Sequence, residues 1–207
     1  MVSGRKKLSA IVLGTRNRDK LRELRSLLNG AGIRVLSLRD FPRCPRVTED
    51  GRTFEANARK KARVYSRHTQ MLTLADDSGL VVSHLKGKPG VYSARFAGSG
   101  CTYADNNEKL LRLLKGAPDS RRRAKFVCVA ALYDRGLPVK ALRGECRGKI
   151  SRKPRGRNGF GYDPVFIPEG FSKTFAELPR RVKNKTSHRG KALRAAARAI
   201  RSYYAGA

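Results

Sequence analysis

The stretch "LSAIVLG", residues 8–14, is the feature that most constrains the fold. A short, continuous apolar run closed by glycine suits a strand buried on both faces, and such strands belong to sheets covered by helices on either side. From Asn17 a helix is expected, with Leu21, Leu24, Leu27 and Leu28 on one stripe and Gly30 as its stop. "IRVLSL" (33–38) then reads as a second strand. Strand, loop, helix and strand in that order open an α/β fold.

Further along, a helix is expected from about Thr53 to Arg67, and "MLTLA" and "LVVSHL" read as strands with the aspartate pair of "LADDSGLVV" between them. "NNEKLLRLLKGA" (106–117) reads as an amphipathic helix. "KFVCVAALYD" and "LPVKALRGEC" flank Arg135-Gly136 as an antiparallel hairpin. A last helix spans 189–204, with Leu193, Ala197 and Ile200 on one stripe and Arg194, Arg198 and Arg201 on another. No repeat or linker interrupts the chain, so residues 1–207 read as one domain.

Composition bounds the partners. Forty-seven lysines and arginines against 16 acidic residues give a formal charge of +31, which favours phosphate-bearing partners: nucleotides, nucleic acid or anionic membrane. The basic residues are spread throughout, and no basic tail of the kind that wraps nucleic acid is present. A generally basic, solvated surface accounts for the same spread. The four cysteines, at 44, 101, 128 and 146, form no C-x-x-C pair, which argues against zinc and dithiol chemistry and for reduced thiols in a cytoplasmic protein. The apolar part of "MVSGRKKLSAIVLG" lasts only about six residues, short of the roughly 7–15 of a signal sequence. Nothing approaches a membrane span, so a soluble protein is expected.

Two places break the pattern. At about 100° per residue, Phe54, Ala58, Ala62 and Tyr65 share one helix face, and Lys61 falls inside that apolar stripe with Asn57 at its margin. A buried ammonium is costly unless paired. Either Lys61 snorkels at the end of the stripe, or it projects into an internal cleft and meets an anion. The second is the pair Asp76-Asp77. Aspartates before Ser-Gly are ordinary turn formers; alternatively Glu49 and Asp77 converge on a divalent cation with Lys61 beside it. Mg²⁺ takes one or two carboxylates plus substrate phosphates, which suits so sparse a set.

Other stretches offer binding chemistry. "LGTRNRDK" (13–20) places Thr15, Asn17 and Lys20 at a helix start, where backbone N–H groups attract phosphate, though a ligand-free Asn-capped helix reads the same. In "GRNGFGYDP" (156–164) Phe160 can stack on a base while Asp163 accepts from its ring nitrogens; an exposed turn with a Tyr anchor is the alternative. Lys183, His188 and Arg189 precede the final helix, as caps or as donors to a nucleobase oxygen.

The segments "GTRNRDKLREL", "TEDGRTFEANARKKA", "LADDSGLVV", "GVYSARFAG", "GRNGFGYDPVF" and "KTFAEL…KNKTSHRGKAL", in this order, resemble the inosine triphosphate pyrophosphatase family (XTP/dITP diphosphatases). The resemblance implies an elongated mixed β-sheet flanked by helices, two lobes with a substrate cleft between them, and a homodimer. It implies Mg²⁺-dependent hydrolysis of ITP, dITP or XTP to monophosphate and pyrophosphate. On that pattern Asp77 is the proton acceptor and a metal ligand with Glu49, and Lys61 reaches the phosphates. Thr15, Arg16, Asn17, Arg18, Asp19 and Lys20 form the phosphate loop, and Ser78 touches substrate. Phe160, Gly161, Tyr162, Asp163, Lys183, His188 and Arg189 form the base pocket. The chain departs from the pattern at Thr48, where an acidic residue is usual, so that metal binding rests on Glu49 with help from Asp50. Further departures are Arg16 and Asp19 in the phosphate loop and Arg180 and Arg181 ahead of Lys183. The alternatives are a Maf-like nucleotide pyrophosphatase and a basic nucleic-acid-binding protein; nucleic acid is not expected as the main partner.

Overall fold

The computed structural model describes residues 9–16 and 18–206, with the side chains at 18, 19 and 23 outside that description. Six strands form one mixed sheet in the order β2-β1-β3-β4-β5-β6. The opening unit is as the sequence predicts: β1 (Ser9–Leu13), α1 (Arg18–Leu28), and β2 (Ile33–Ser37) parallel to β1. The hairpin is also as expected. β4 (Arg123–Asp134) and β5 (Leu137–Ile150) are antiparallel and joined by Arg135 and Gly136, both at positive φ (48° and 88°), the two-residue turn whose twist matches that of its strands. β6 (Phe166–Pro168) closes the far edge.

The aspartate pair differs from the sequence reading. One uninterrupted strand, β3 (Thr73–Val82), runs through both residues where two strands with a break were expected. It pairs antiparallel with β4 over its whole length but parallel with β1 only at Thr73 and Leu74. Beyond Leu74 its β1-side edge is open but for a bridge at Val81 to Pro89 and a hydrogen bond from Leu80 N–H to Ser93 Oγ. Backbone pairing with β4 holds the aspartates in strand conformation against their low β-propensity.

Helices cover both faces. α2 (Phe54–Thr69), capped by Thr53, packs Phe54, Ala58, Ala62 and Tyr65 against Val12, Ala75, Val127 and Val129. The opposite face carries two apolar clusters. One joins Leu24 and Leu28 of α1 and Leu193, Ala196 and Ile200 of α5 (His188–Ala205) to Leu74 and Leu132. The other gathers α3 (Tyr103–Leu113), Leu80, Phe126, Phe166 and Phe175. Arg180–Thr186 forms a short helix, α4, that sequence periodicity did not signal. No described helix is long and apolar enough to cross a membrane.

The start of α5 lies hard against β5. A Cβ on Gly144 would collide with the His188 carbonyl oxygen and come within 2.7 Å of the Ala192 nitrogen, both backbone atoms. Gly144→Ala is therefore expected to cost about 1–3 kcal/mol in denaturant unfolding, and to displace the turn that carries His188 and Arg189.

Candidate active site

A cleft of about 300 Å³ opens at the C-terminal end of β1, along the free edge of β3. Strand geometry decides its chemistry. Successive side chains point to opposite faces, so Asp76 joins the α1/α5 side with Leu74 and Leu80, and Asp77 joins the α2 side with Ala75. On the first side Asp76 and Ser78 occupy the positions between the two apolar clusters. Because the β3 edge is uncovered, both carboxylates reach the same cleft.

Their environments are opposite. Asp76 is 4% exposed and takes the Lys20 ammonium on both oxygens, at 2.7 and 2.8 Å, with Arg189 Nε 3.6 Å away. Burial alone would raise its pKa, but Lys20, Arg189 and Lys61 together hold it far below the usual carboxylate range. Asp77 accepts from Asn57 Nδ2 and from the Ser78 N–H, each at 2.9 Å, and lies 4.0 Å from Lys61 Nζ. There burial wins, and its pKa is raised.

Lys61 is buried within the apolar stripe and turned inward, bonded to Glu49 Oε1 at 2.8 Å. Dehydration disfavours its charge, yet Asp76, Glu49 and Asp77 overcome this and raise its pKa. Of the two readings of that residue the internal one holds: the ammonium sits inside the cleft, between two carboxylates. Glu49 is half-exposed beside it. Asp50 is not part of the site. Its carboxylate pairs with Lys60 at 2.7 Å on the solvent side, so it gives Glu49 no help.

Glu49 and Asp77 suit a magnesium ion by donor type, since both offer hard carboxylate oxygen within 4.0 Å of one ammonium. Among the described residues no group of three or more His, Cys, Asp or Glu could hold a metal by itself. A cation held by these two carboxylates would take its remaining ligands from phosphate and water, the usual habit of Mg²⁺.

At the other end of the cleft, Phe160 lies 4.9 Å from Lys183 Nζ and 5.2 Å from the Arg189 guanidinium carbon. Arg189 donates to Ser78 Oγ at 3.0 Å. His188 is buried and stacked on Phe126, with centroids 4.5 Å apart and planes 10° apart. Burial, helped by the Arg189 and Lys183 charges, keeps its imidazole neutral. Asp163 binds the Phe160 N–H at 2.7 Å and the Lys183 ammonium, so one of its oxygens is spent on shaping the loop. Tyr162 anchors that loop, its hydroxyl donating to the Ser93 carbonyl at 2.9 Å. Gly161 lines the cleft.

In the phosphate loop, Thr15 and Lys20 line the cleft. Arg16 is exposed and its guanidinium points to the Cys44 carbonyl at 3.5 Å. Asn17 and the side chains of Arg18 and Asp19 lie outside the described residues. Sequence reasoning left out Asp76 as a site residue and gave no place to Tyr103, Asn106 or Phe126, all of which line the cleft. The period-two alternation of a continuous strand was the signal for Asp76.

The sequence pattern of the Ham1 family matches residues 11–199. The chain belongs to the Ham1 family. A dITP/XTP pyrophosphatase of Geobacter sulfurreducens is 50% identical over 186 residues, covering 90% of this chain and 94% of that protein. One of the same name from Desulforamulus reducens is 47% identical, covering 94% and 96%. The structure of a HAM1 protein from Coxiella burnetii superposes with a TM-score of 0.87 at 40% identity, covering 96% of this chain and all of that one. The mixed, helix-flanked sheet is therefore the Ham1 fold.

Removing Asp76 takes a buried carboxylate partner from two poorly solvated cations. Asp76→Ala should cost about 3–5 kcal/mol in urea unfolding, whereas Asp50→Ala should leave the midpoint unchanged. The stabilisation from Asp76 is fully present above the unfolded aspartate value of 3.8 and is lost as pH falls below it towards the depressed folded value.

Proposed function

We infer that this Ham1 protein hydrolyses deaminated purine nucleoside triphosphates (ITP, dITP and XTP) to the monophosphate and pyrophosphate, with Mg²⁺. The names of its relatives support the substrate class. Within this chain, the observation that carries the reading is Lys61: a buried ammonium between Asp77 and Glu49, in a cleft whose other end is aromatic and cationic. The assembly proposed with it, from the family resemblance, is a homodimer, and the compartment, from the cysteine pattern, is the cytoplasm.

Asp77 is the proton acceptor for the attacking water. Its raised pKa makes it a stronger base than an ordinary aspartate. Asn57 fixes its orientation through one oxygen. Lys61 supplies an ammonium to the phosphate oxygens, and Thr15 and Lys20 add donors on the far side. Glu49 and Asp77 would hold Mg²⁺, which when bound neutralises phosphate charge.

Arg189 can only donate hydrogen bonds. It suits the 6-oxo group of hypoxanthine or xanthine and meets a second donor in the 6-amino group of adenine. An unpaired polar group in a buried site costs enough to reject the wrong base, so ATP is spared. Exclusion of GTP depends on room for its 2-amino group.

A nucleotide panel assayed for pyrophosphate tests the reading. ITP, dITP and XTP should be cleaved with Mg²⁺ and not with EDTA, and ATP should be cleaved little. Asp77→Asn should lower turnover by about 10²–10⁴-fold with its circular dichroism unchanged; a variant keeping most of its activity refutes the role. Lys61→Met should raise the pKa of Asp77 further, because the ammonium is the largest influence opposing burial there. A base is lost when protonated, so the acid limb of the residual kcat/KM profile should move to higher pH.

A further inference from the structure

Tyr103 stands at the first position of α3, on the cleft rim, and is 55% exposed. An exposed tyrosine alone needs no explanation; its position does. Its ring lies 6.2 Å from that of Phe160, tilted by 41°, and both rings line the cleft. Its hydroxyl makes no hydrogen bond to any described residue.

Two contacts fix the ring's place. Thr102 and Asp105 form a reciprocal capping box that pins the start of α3. Asn107, one turn on and therefore on the same helix face, donates through Nδ2 to the Gly161 carbonyl at 3.0 Å. Gly161 adjoins Phe160, so a part-buried hydrogen bond ties the helix that carries Tyr103 to the loop that carries Phe160. A planar base touching both rings at about 3.5 Å needs them roughly 7 Å apart. A small outward swing of Tyr103, open to solvent on its far side, provides that.

We propose that Tyr103 and Phe160 form an aromatic clamp in which Tyr103 is the mobile jaw, a substrate-binding residue that grips the purine of the triphosphate. The proposal rests on the nucleotide pyrophosphatase reading and deepens it. Stacking is blind to the substituents on the ring, because every base has a π-face. Tyr103 therefore sets affinity for purines as a class, and Arg189 discriminates among them. A pyrimidine, with one ring, fills less of the gap and gains less.

The test compares wild type, Tyr103→Ala and Tyr103→Phe. Steady-state kinetics on ITP, competitive inhibition by inorganic tripolyphosphate, and calorimetric binding of inosine monophosphate are measured for each. Tyr103→Ala should raise KM for ITP and weaken inosine monophosphate binding by about tenfold, with kcat within about twofold of wild type. Tyr103→Phe should behave as wild type, since the hydroxyl has no part in the clamp. Tripolyphosphate, which has no base, should inhibit all three equally. Unchanged KM in Tyr103→Ala, or inhibition by tripolyphosphate weakened in step with KM, overturns the clamp and leaves the functional reading standing. Wild-type protein that neither cleaves nor binds a 6-oxo purine nucleotide overturns both.

Discussion

Two adjacent carboxylates on one strand repel each other only weakly here, because β3 turns them to opposite faces and each face brings its own cations. Asp76 gathers Lys20 from α1 and Arg189 from α5, and Asp77 meets Lys61 and Asn57 from α2. Three helices are thus tied by charge to neighbouring residues of a single strand. The same ties build the active site, since every cation drawn in is also a group able to face phosphate or base. An apolar pair at these positions would leave the inward cations without these carboxylates and the cleft without its charge pattern.

The net charge of +31 takes on a more local meaning in this setting. Most of the excess is on the surface. The cations drawn into the cleft (Lys20, Lys61, Lys183 and Arg189) each have a carboxylate within 4.0 Å. An anionic substrate would compete with protein carboxylates for them, most plainly at Lys61, which is bonded to Glu49 at 2.8 Å. Metal binding at Glu49 would relieve that competition, which links metal and substrate through one side chain. The base end follows a similar economy: Asp163 organises the Phe160 loop from within while Lys183 is held beside the ring.

Much of this was legible in the sequence where periodicity is strong. The α2 stripe exposed Lys61 as an anomaly, and the alternating runs around Arg135-Gly136 gave the hairpin. Misreading came where propensity and tertiary context disagree. Asp-Asp-Ser-Gly has the chemistry of a turn, and only pairing with β4 keeps it extended; reading it as a break hid the face-alternation that makes Asp76 an ion-pair hub. Asp50, next to Glu49 in sequence, was credited to the metal, yet its side chain points to solvent and Lys60. α4 has too few apolar residues in its seven to show a period. Tyr103 was invisible because its role depends on Phe160, 57 positions away along the chain.

The central claim is that Asp76 and Asp77, side by side in sequence, are electrostatically opposite. Site-resolved carboxyl ¹³C NMR across an acid titration measures this directly. Asp77 should titrate above the ordinary 3.8, with Asp76 still ionised at the lowest pH at which the protein stays folded. Both groups titrating together near 3.8, or Asp76 taking up its proton first, would contradict the account.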